Sequence, residues 1–272
     1  MTVLTVVRMN SDLIDPYRAW LRANDLSQNT IGQRVRFLMT RLHLDALTMS
    51  PGDLSLWLSE FDGWTRLTYL SAVRSVTAFL VDTGRRADDP AAKLRRGASP
   101  DGRPRPLVPG DDLRALHAAT GDMRALVLLG LRAGLRAHEA AKIAGEDINA
   151  ERLRVLGKGA KVVYLPTHPD LWKVAQQYPR EGLWFPSHRR AGAISGSTVS
   201  HRASLLLAAI GTDGSYHRFR ATFATDMLRA GANIRVVQRL MRHASLATTE
   251  AYLGVAENEL EDAIGLLGRR AA

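Results

Sequence analysis

The chain has 272 residues, enough for one large domain or two ordinary ones, and its 46% apolar and 24% charged residues exclude a disordered protein. Basic residues exceed acidic ones by 37 − 27 = 10, which favours a polyanionic partner, nucleic acid first; a genome that prefers arginine is the alternative explanation. The lack of cysteine excludes disulfides and thiolate sites, and no apolar run suits a signal peptide or a membrane span, so a cytoplasmic protein is expected.

Residues 12–84 are predicted to form packed helices. One helix follows Ser27, a good N-cap, and carries apolar residues every three or four positions. Ser50-Pro51 begins another helix, and a third ends at Gly84. With a fourth near residues 15–23, the pattern predicts a small all-helical bundle.

A proline-rich, basic segment follows this bundle. Because proline prevents helix formation, we expect a connector over residues 97–109 between two domains, residues 1–96 and 110–272.

The second half combines helices with one hairpin. Asp111-Asp112 suits the first turn of a helix, where negative charge is stabilised. Arg152–Leu156, a glycine turn and Lys161–Leu165 predict two antiparallel strands. The fold class expected is therefore mainly α, with an α+β second domain that contains a small antiparallel sheet. Further helical patterns cover residues 125–131, 137–143, 171–177, 198–209, 220–229 and 234–239.

Two cationic residues of this half have a structural and a functional interpretation. Arg136 lies between two apolar helices, so its guanidinium is expected to be partly buried and to need a partner, which Glu139 can provide. The neighbouring His138 is interpreted as a surface residue. Lys158 lies at the tip of the hairpin, either as a solvated turn residue or as a mobile cation that reaches a bound phosphate.

Four later residues extend this set. His217 and Arg220 are three positions apart and share one helical face, and His243 precedes Tyr252 by nine residues. A lone tyrosine near a C-terminus is normally a packing or surface residue, but a phenol can also be a covalent nucleophile. Arginines neutralise phosphate, while histidine and lysine move protons. Together these types suffice to attack a phosphodiester without a metal.

The order of these motifs resembles that of the tyrosine recombinase (phage integrase) family. The resemblance covers residues 113–255, and residues 26–30 resemble the start of that family's core-binding domain. It implies a core-type DNA-binding domain in residues 1–96 and a catalytic domain in residues 110–272. The motifs in chain order are Gly134-Leu135-Arg136, Lys158, His217, Arg220, His243 and Tyr252.

The resemblance also implies a role for each residue. Tyr252 would attack the scissile phosphate and form a 3′-phosphotyrosine. Lys158 would protonate the leaving 5′-oxygen, and His217 would assist proton removal from the tyrosine. No metal and no cofactor is implied.

The other matching residues would act on the phosphate itself. Arg136, Arg220 and His243 would hold its non-bridging oxygens, and Glu139 would orient this group. The replacement of a frequent histidine by Ala221 is one departure from the family pattern. Arg242 in place of a usual glycine and Val163 in place of a frequent basic residue are the others. None is expected to touch a residue of the chemistry, although each can alter the groups that support the site or the affinity for DNA.

The partners implied are double-stranded DNA with core-type sites, a homotetramer acting through a Holliday junction, and accessory bending or directionality factors near the nucleoid. An apolar stripe after Tyr252 is suited to docking on a neighbour. About a dozen residues precede the helical bundle, so we expect a short phage integrase without an arm-binding domain, with a Xer-like recombinase as the alternative. A type IB topoisomerase and a catalytically silent DNA-binding accessory protein are the other rivals.

Overall fold

The computed structural model describes residues 10–98, 104–157, 161–189, 191–243, 247–250 and 252. The chain divides into two compact units, Met1–Gly102 and Arg103–Ala272. Within the described residues, every helix is too short or too polar to cross a membrane.

The first unit is a small bundle of helices, as the sequence predicts. The Ser27 hydroxyl accepts the backbone N–H of Thr30, and Ser50 and Asp53 each accept the other's backbone N–H, so both predicted helix starts are capped. The helices are α1 (Ile14–Ala23), α2 (Gln28–Thr40), α3 (Pro51–Ser59) and α4 (Gly63–Asp82), after a 3-10 turn at Ser11–Leu13.

Helix α4 supplies the centre of this bundle. Its Val73, Val76 and Leu80 are fully buried, and Tyr17 of α1 donates its hydroxyl to Ser75 Oγ at 2.8 Å. Each large apolar side chain contributes about 1.5–3 kcal/mol on burial. The bundle is therefore held by its apolar stripes more than by helix propensity.

The second unit is mainly helical and contains a two-stranded antiparallel sheet, so the predicted fold class is confirmed. Its elements are α5 (Asp111–Ala118), α6 (Asp122–Ala133), α7 (Ala137–Ala140), β1 (Arg152–Leu156), β2 (Val162–Pro166), α8 (Pro169–Ala175), α9 (Gly196–Ala209), α10 (His217–Arg229), α11 (Ile234–Met241) and α12 (Ala247–Glu250). A 3-10 turn at Gly145–Asp147 precedes the sheet.

Helix α7 is shorter than the pattern over residues 137–143 predicts. The helix ends at Ala140, and the Ile143 carbonyl accepts the backbone N–H of Trp184 at 3.0 Å. The prediction of helix as far as Ile143 is wrong, because this long-range hydrogen bond fixes the backbone after the first turn.

The predicted hairpin is confirmed. Strands β1 and β2 pair antiparallel with Val155 opposite Val163, and Leu153 and Val155 face the core. The alternation of buried and exposed residues follows from the two-residue period of a strand. The tip of the hairpin, residues 158–160, lies outside the described residues and includes Lys158.

Three helix ends meet in the second unit. Helix α6 ends before Gly134, α10 begins at His217, and α11 ends before Arg242. The buried Tyr216 donates its hydroxyl to the Leu126 carbonyl at 2.9 Å, which fastens the start of α10 to α6. Side chains far apart in the sequence are thereby brought to one place.

Candidate active site

Arg136 lies in the loop between α6 and α7 and is oriented by Glu139. Its backbone N–H donates to Glu139 Oε2 at 2.8 Å and its Nη1 to Oε1 at 3.0 Å, while its Nη2 donates to the Arg242 carbonyl at 3.4 Å. The Glu139 side chain is 1% exposed, whereas the Arg136 side chain is 34% exposed. The carboxylate therefore orients Arg136 and leaves it open to a ligand. The exposed His138 fits its interpretation as a surface residue.

Arg220 projects from the first turn of α10 and is fully buried. Its guanidinium donates to the Gly134 carbonyl and to the Met241 carbonyl, which belong to the ends of α6 and α11. Burial, together with the charges of Arg136 and Arg242, lowers the pKa of Arg220 to about 9, so the side chain stays protonated at neutral pH. One cation thus joins the three helix ends.

His243 lies between a hydroxyl and the tyrosine ring. Its Nδ1 is 2.9 Å from the Thr249 hydroxyl, and its ring stacks on Tyr252 with centroids 6.3 Å apart. If the hydroxyl donates to Nδ1, the proton is on Nε2, which can then donate to an oxyanion. Sequence reasoning missed Thr249, because a threonine within a short helix resembles an ordinary packing or surface residue.

Proton transfer at this site depends on His217 and Tyr252. His217 is exposed at the start of α10, yet the protein around its imidazole, with the charges of Arg220 and Arg136, lowers its pKa and favours the neutral form. Burial raises the pKa of Tyr252, although the same two arginines act to lower it. The phenol therefore stays protonated until a base accepts its proton.

Positive charge exceeds negative charge among four charged residues of this site. Arg136, Arg220 and Arg242 carry three positive charges, and Glu139, which contacts the first and the last, carries one negative charge. An excess of 3 − 1 = 2 charges remains among these four residues. Since poorly solvated cations need partners, this arrangement favours an anion with several oxygens.

Arg242 contacts residues assigned to the chemistry, contrary to the expectation from the sequence. Its Nη2 donates to Glu139 Oε2 at 2.7 Å, and its carbonyl accepts a hydrogen bond from Arg136. Ala221, another departure from the family pattern, is buried in the same apolar cluster as Tyr252. The expectation that no departure touches a residue of the chemistry is therefore wrong for Arg242, which contacts Glu139 and Arg136.

Six of the seven candidate residues lie together in the second unit, and the charge of Arg136 or Arg220 shifts the pKa of both site histidines and of Tyr252. Lys158 and the tail over residues 253–272 lie outside the described residues. The described part of the chain contains no group of three or more His, Asp or Glu residues placed to hold a metal ion. The six are Arg136, Glu139, His217, Arg220, His243 and Tyr252.

Gly134→Ala is expected to destabilise the second unit. Gly134 has φ +58°, and an added Cβ would lie 2.6 Å from Cδ1 of Phe223. We expect the free energy of unfolding to fall by roughly 2–4 kcal/mol, from backbone strain and the contact combined. Gly211→Ala is the matched control, since Gly211 has φ +76° with nothing within 4 Å of an added Cβ. Equal losses in urea denaturation would contradict a contribution from Phe223.

His243 is expected to titrate well below an ordinary histidine. Burial, with the charges of Arg220, Arg136 and Arg242, lowers the pKa of His243 to about 4. In the unfolded chain it binds a proton near pH ~6.5, so its contribution to the free energy of unfolding decreases as the pH falls from about 6.5 to about 4. Imidazole ¹⁵N shifts of the DNA-free protein measure this, with the urea-unfolded protein as control. A midpoint above pH ~6 would contradict the expected desolvation.

Comparison with known proteins identifies the family. The model of the phage integrase family matches residues 110–259, more than half of the chain. The tyrosine recombinase XerA of Pyrococcus horikoshii is 25% identical and the alignment covers 94% of this chain and 93% of that protein. The tyrosine recombinase XerD of Yersinia pestis is 29% identical, with 89% and 91% covered.

Solved structures share the fold. A lambda integrase fragment bound as a dimer to a core site has a TM-score of 0.64 and 19% identity, with 86% of this chain and 95% of that chain covered. The XerH recombinase bound to palindromic difH DNA has a TM-score of 0.64 and 16% identity, with 91% and 82% covered. At these identities the likeness shows the fold alone.

The fold and the family model together define the class: the chain belongs to the phage integrase family. It is a tyrosine recombinase, as its relatives are named.

Proposed function

We propose that this tyrosine recombinase cleaves and rejoins double-stranded DNA at specific sites through a 3′-phosphotyrosine formed by Tyr252. The observation that carries the proposal is the excess of positive charge around Arg136 and Arg220, beside the buried phenol. A scissile phosphate is an anion with several oxygens, and it would compensate this charge. The covalent bond to Tyr252 replaces the phosphodiester at similar energy, so a 5′-hydroxyl of another strand can reverse the step.

Three hydrogen-bond donors are assigned to stabilise the transition state by binding the oxygens of the phosphate. Arg136 and Arg220 would hold the non-bridging oxygens, and His243 would donate from Nε2 because Thr249 occupies its Nδ1. Fixed donors cost no reorganisation as charge develops on the phosphate. Glu139 would fix the orientation of Arg136.

Proton transfer is assigned to two residues. His217 has a lowered pKa, so its neutral form can accept the proton of Tyr252. Lys158, beyond the described residues, would donate a proton to the leaving 5′-oxygen. Each transfer of this kind contributes about a hundred- to ten-thousandfold in rate.

The assembly that follows from this chemistry is a tetramer. Exchange of strands between two duplexes requires four cleavages, so four protomers would act on two core-type sites through a Holliday junction. Residues 1–96 are proposed as the core-type DNA-binding domain, residues 97–109 as the linker and residues 110–272 as the catalytic domain. The basic excess of the chain suits this partner.

The biological role is proposed as that of a phage integrase or a Xer-like recombinase. Alignment with the XerA and XerD relatives over at least 89% of either chain favours the second candidate. The DNA around the gene discriminates between the two. An attachment-like site beside the gene, among phage genes, would favour a role in integration. A gene that lies away from phage genes, in the part of the chromosome that related strains have in common, would favour a Xer-like role.

Covalent capture on DNA tests the proposed activity. A duplex bound by the chain is selected from random DNA, nicked beside the expected cleavage point and incubated with the protein. We expect an adduct that survives detergent, with the Tyr252 peptide carrying the nucleotide mass. Bound DNA without an adduct would favour the silent accessory protein, and relaxation of supercoils without joined products from two labelled duplexes would favour the topoisomerase.

A further inference from the structure

The turn that carries His243 has a backbone conformation that favours glycine, yet it contains an arginine. Arg242 follows α11 with φ 53° and ψ 44°, in the left-handed region. Among the described residues, Asp25 is the other non-glycine residue with positive φ. Glycine adopts this region without steric cost, so the backbone alone gives no reason for an arginine here. The reason must lie in the side chain.

The Arg242 side chain turns into the protein and is 8% exposed. Its Nη2 donates to Glu139 Oε2 at 2.7 Å and to the Gly134 carbonyl at 3.1 Å, and its Nη1 donates to the Leu240 carbonyl at 2.7 Å. Both terminal nitrogens are thus engaged by the protein. Arg242 is therefore placed to hold other groups, whereas Arg136 is open to a ligand.

Glu139 connects Arg242 to the site, because its carboxylate accepts hydrogen bonds from both Arg242 and Arg136. Its carboxylate is buried, which by itself would raise its pKa, but the charge of Arg242 and the backbone N–H of Arg136 outweigh burial and lower the pKa of Glu139. Without Arg242, Arg136 would be the cation left in contact with this carboxylate among the residues that the structure describes. If Arg136 formed two guanidinium hydrogen bonds with Glu139, it would have fewer N–H groups left to bind a phosphate.

The same turn also presents its backbone to the site. The Met241 carbonyl accepts a hydrogen bond from Arg220, the Arg242 carbonyl accepts one from Arg136, and His243 comes next in the chain. The bond from Arg242 to Glu139 ties this turn to α7, 103 residues away in the sequence. A single side chain therefore fixes the positions of three proposed phosphate ligands.

We propose that Arg242 is a positioning residue for DNA cleavage, whose guanidinium occupies Glu139 and fixes the turn before His243, so that Arg136 remains directed at the phosphate. This inference rests on the proposed function of Arg136 and His243. Displacement of a reacting group by about 1 Å can cost roughly a hundredfold in rate. The expected loss on removing Arg242 therefore lies at roughly tenfold to a hundredfold in the cleavage step.

Single-turnover cleavage of the nicked duplex, at saturating DNA, tests the proposal with Arg242→Gly. Glycine suits the left-handed turn but loses the buried ion pair with Glu139, so we expect a folded variant with a lower free energy of unfolding in urea and with DNA affinity within about twofold of wild type. The rate of adduct formation should fall roughly tenfold to a hundredfold. Arg239→Ala, which removes an exposed cation from α11, the helix that ends before Arg242, is the matched control and should cleave at the wild-type rate at saturation.

The double variant Glu139→Gln/Arg242→Gly separates positioning from general support. A neutral glutamine no longer competes for Arg136, so the double variant should cleave faster than Arg242→Gly. Arg242→Lys keeps a charge for Glu139 but loses the fork, and it should cleave at a rate between those of Arg242→Gly and wild type. If Arg242 only supported the fold, the losses of cleavage rate caused by Arg242→Gly and by Glu139→Gln would add in the double variant.

Two results would overturn this proposal while the proposed function stands. One is wild-type cleavage by Arg242→Gly, and the other is a loss that Glu139→Gln deepens. Failure of the wild-type protein to form any adduct on the same duplex would remove the proposed function itself, and the role of Arg242 with it. If Arg242→Gly does not fold, Arg242→Lys with and without Glu139→Gln repeats the comparison.

Discussion

Tyr252→Phe is expected to abolish covalent capture of DNA while leaving DNA binding intact. The change removes the oxygen that would attack phosphorus, and phenylalanine has no atom that could form this bond. Adduct formation should fall by at least roughly ten-thousandfold, as expected when a covalent nucleophile is removed. Adduct yield on the nicked duplex and DNA affinity by fluorescence anisotropy measure the two quantities.

The packing around Tyr252 makes this variant easy to interpret. The residue is 5% exposed and its ring lies on His243, contacts that phenylalanine retains. Tyr178→Phe is the matched control: it also removes a hydroxyl, one that donates to Asp122, from the same unit, and it should cleave normally. A full yield of adduct from Tyr252→Phe would eliminate Tyr252 as the nucleophile.

Arg136→Ala is expected to slow cleavage by roughly a hundred- to a thousandfold, the usual effect of losing one fixed donor to a developing oxyanion. The side chain is 34% exposed, so its loss opens no core cavity. Glu139 keeps its bond to Arg242 and is not left as an unpaired buried charge. The single-turnover rate at saturating DNA measures the effect.

Two further variants define what Arg136 supplies. Arg136→Lys keeps the charge but not the fork, so it should recover only part of the rate. Arg124→Ala removes an exposed arginine near the other end of α6 and should leave the rate at saturation unchanged. An Arg136→Ala variant as fast as wild type would contradict a role for Arg136 in holding the phosphate.

The candidate site was predictable to the extent that it depends on residue type and order. Arg136, Arg220 and Tyr252 are chemically distinctive, and their order along the chain carries the family resemblance. Thr249 and Arg242 were not predictable in the same way. Thr249 resembles an ordinary residue of a short helix, and Arg242 is a departure from a motif; their roles arise only from contacts with His243 and Glu139.

Local patterns also explain which elements of the fold were predicted correctly. Ser27 and Ser50 cap helices through bonds within three residues, so the signal is complete in the local sequence. The end of α7 is not predictable from the local sequence, because the Ile143 carbonyl accepts a hydrogen bond from the distant Trp184.

The amino-acid sequence by itself determined the helices, the hairpin, the basic character and the identity of the groups available for phosphate chemistry. Only the tertiary structure decided which of these groups lie close enough for the charge of one to shift the pKa of another. The physical reason is that burial and the proximity of charges depend on long-range packing: Arg220 is buried because the ends of α6 and α11 close over it. Arg242 then compensates Glu139 because the left-handed turn directs its side chain inward.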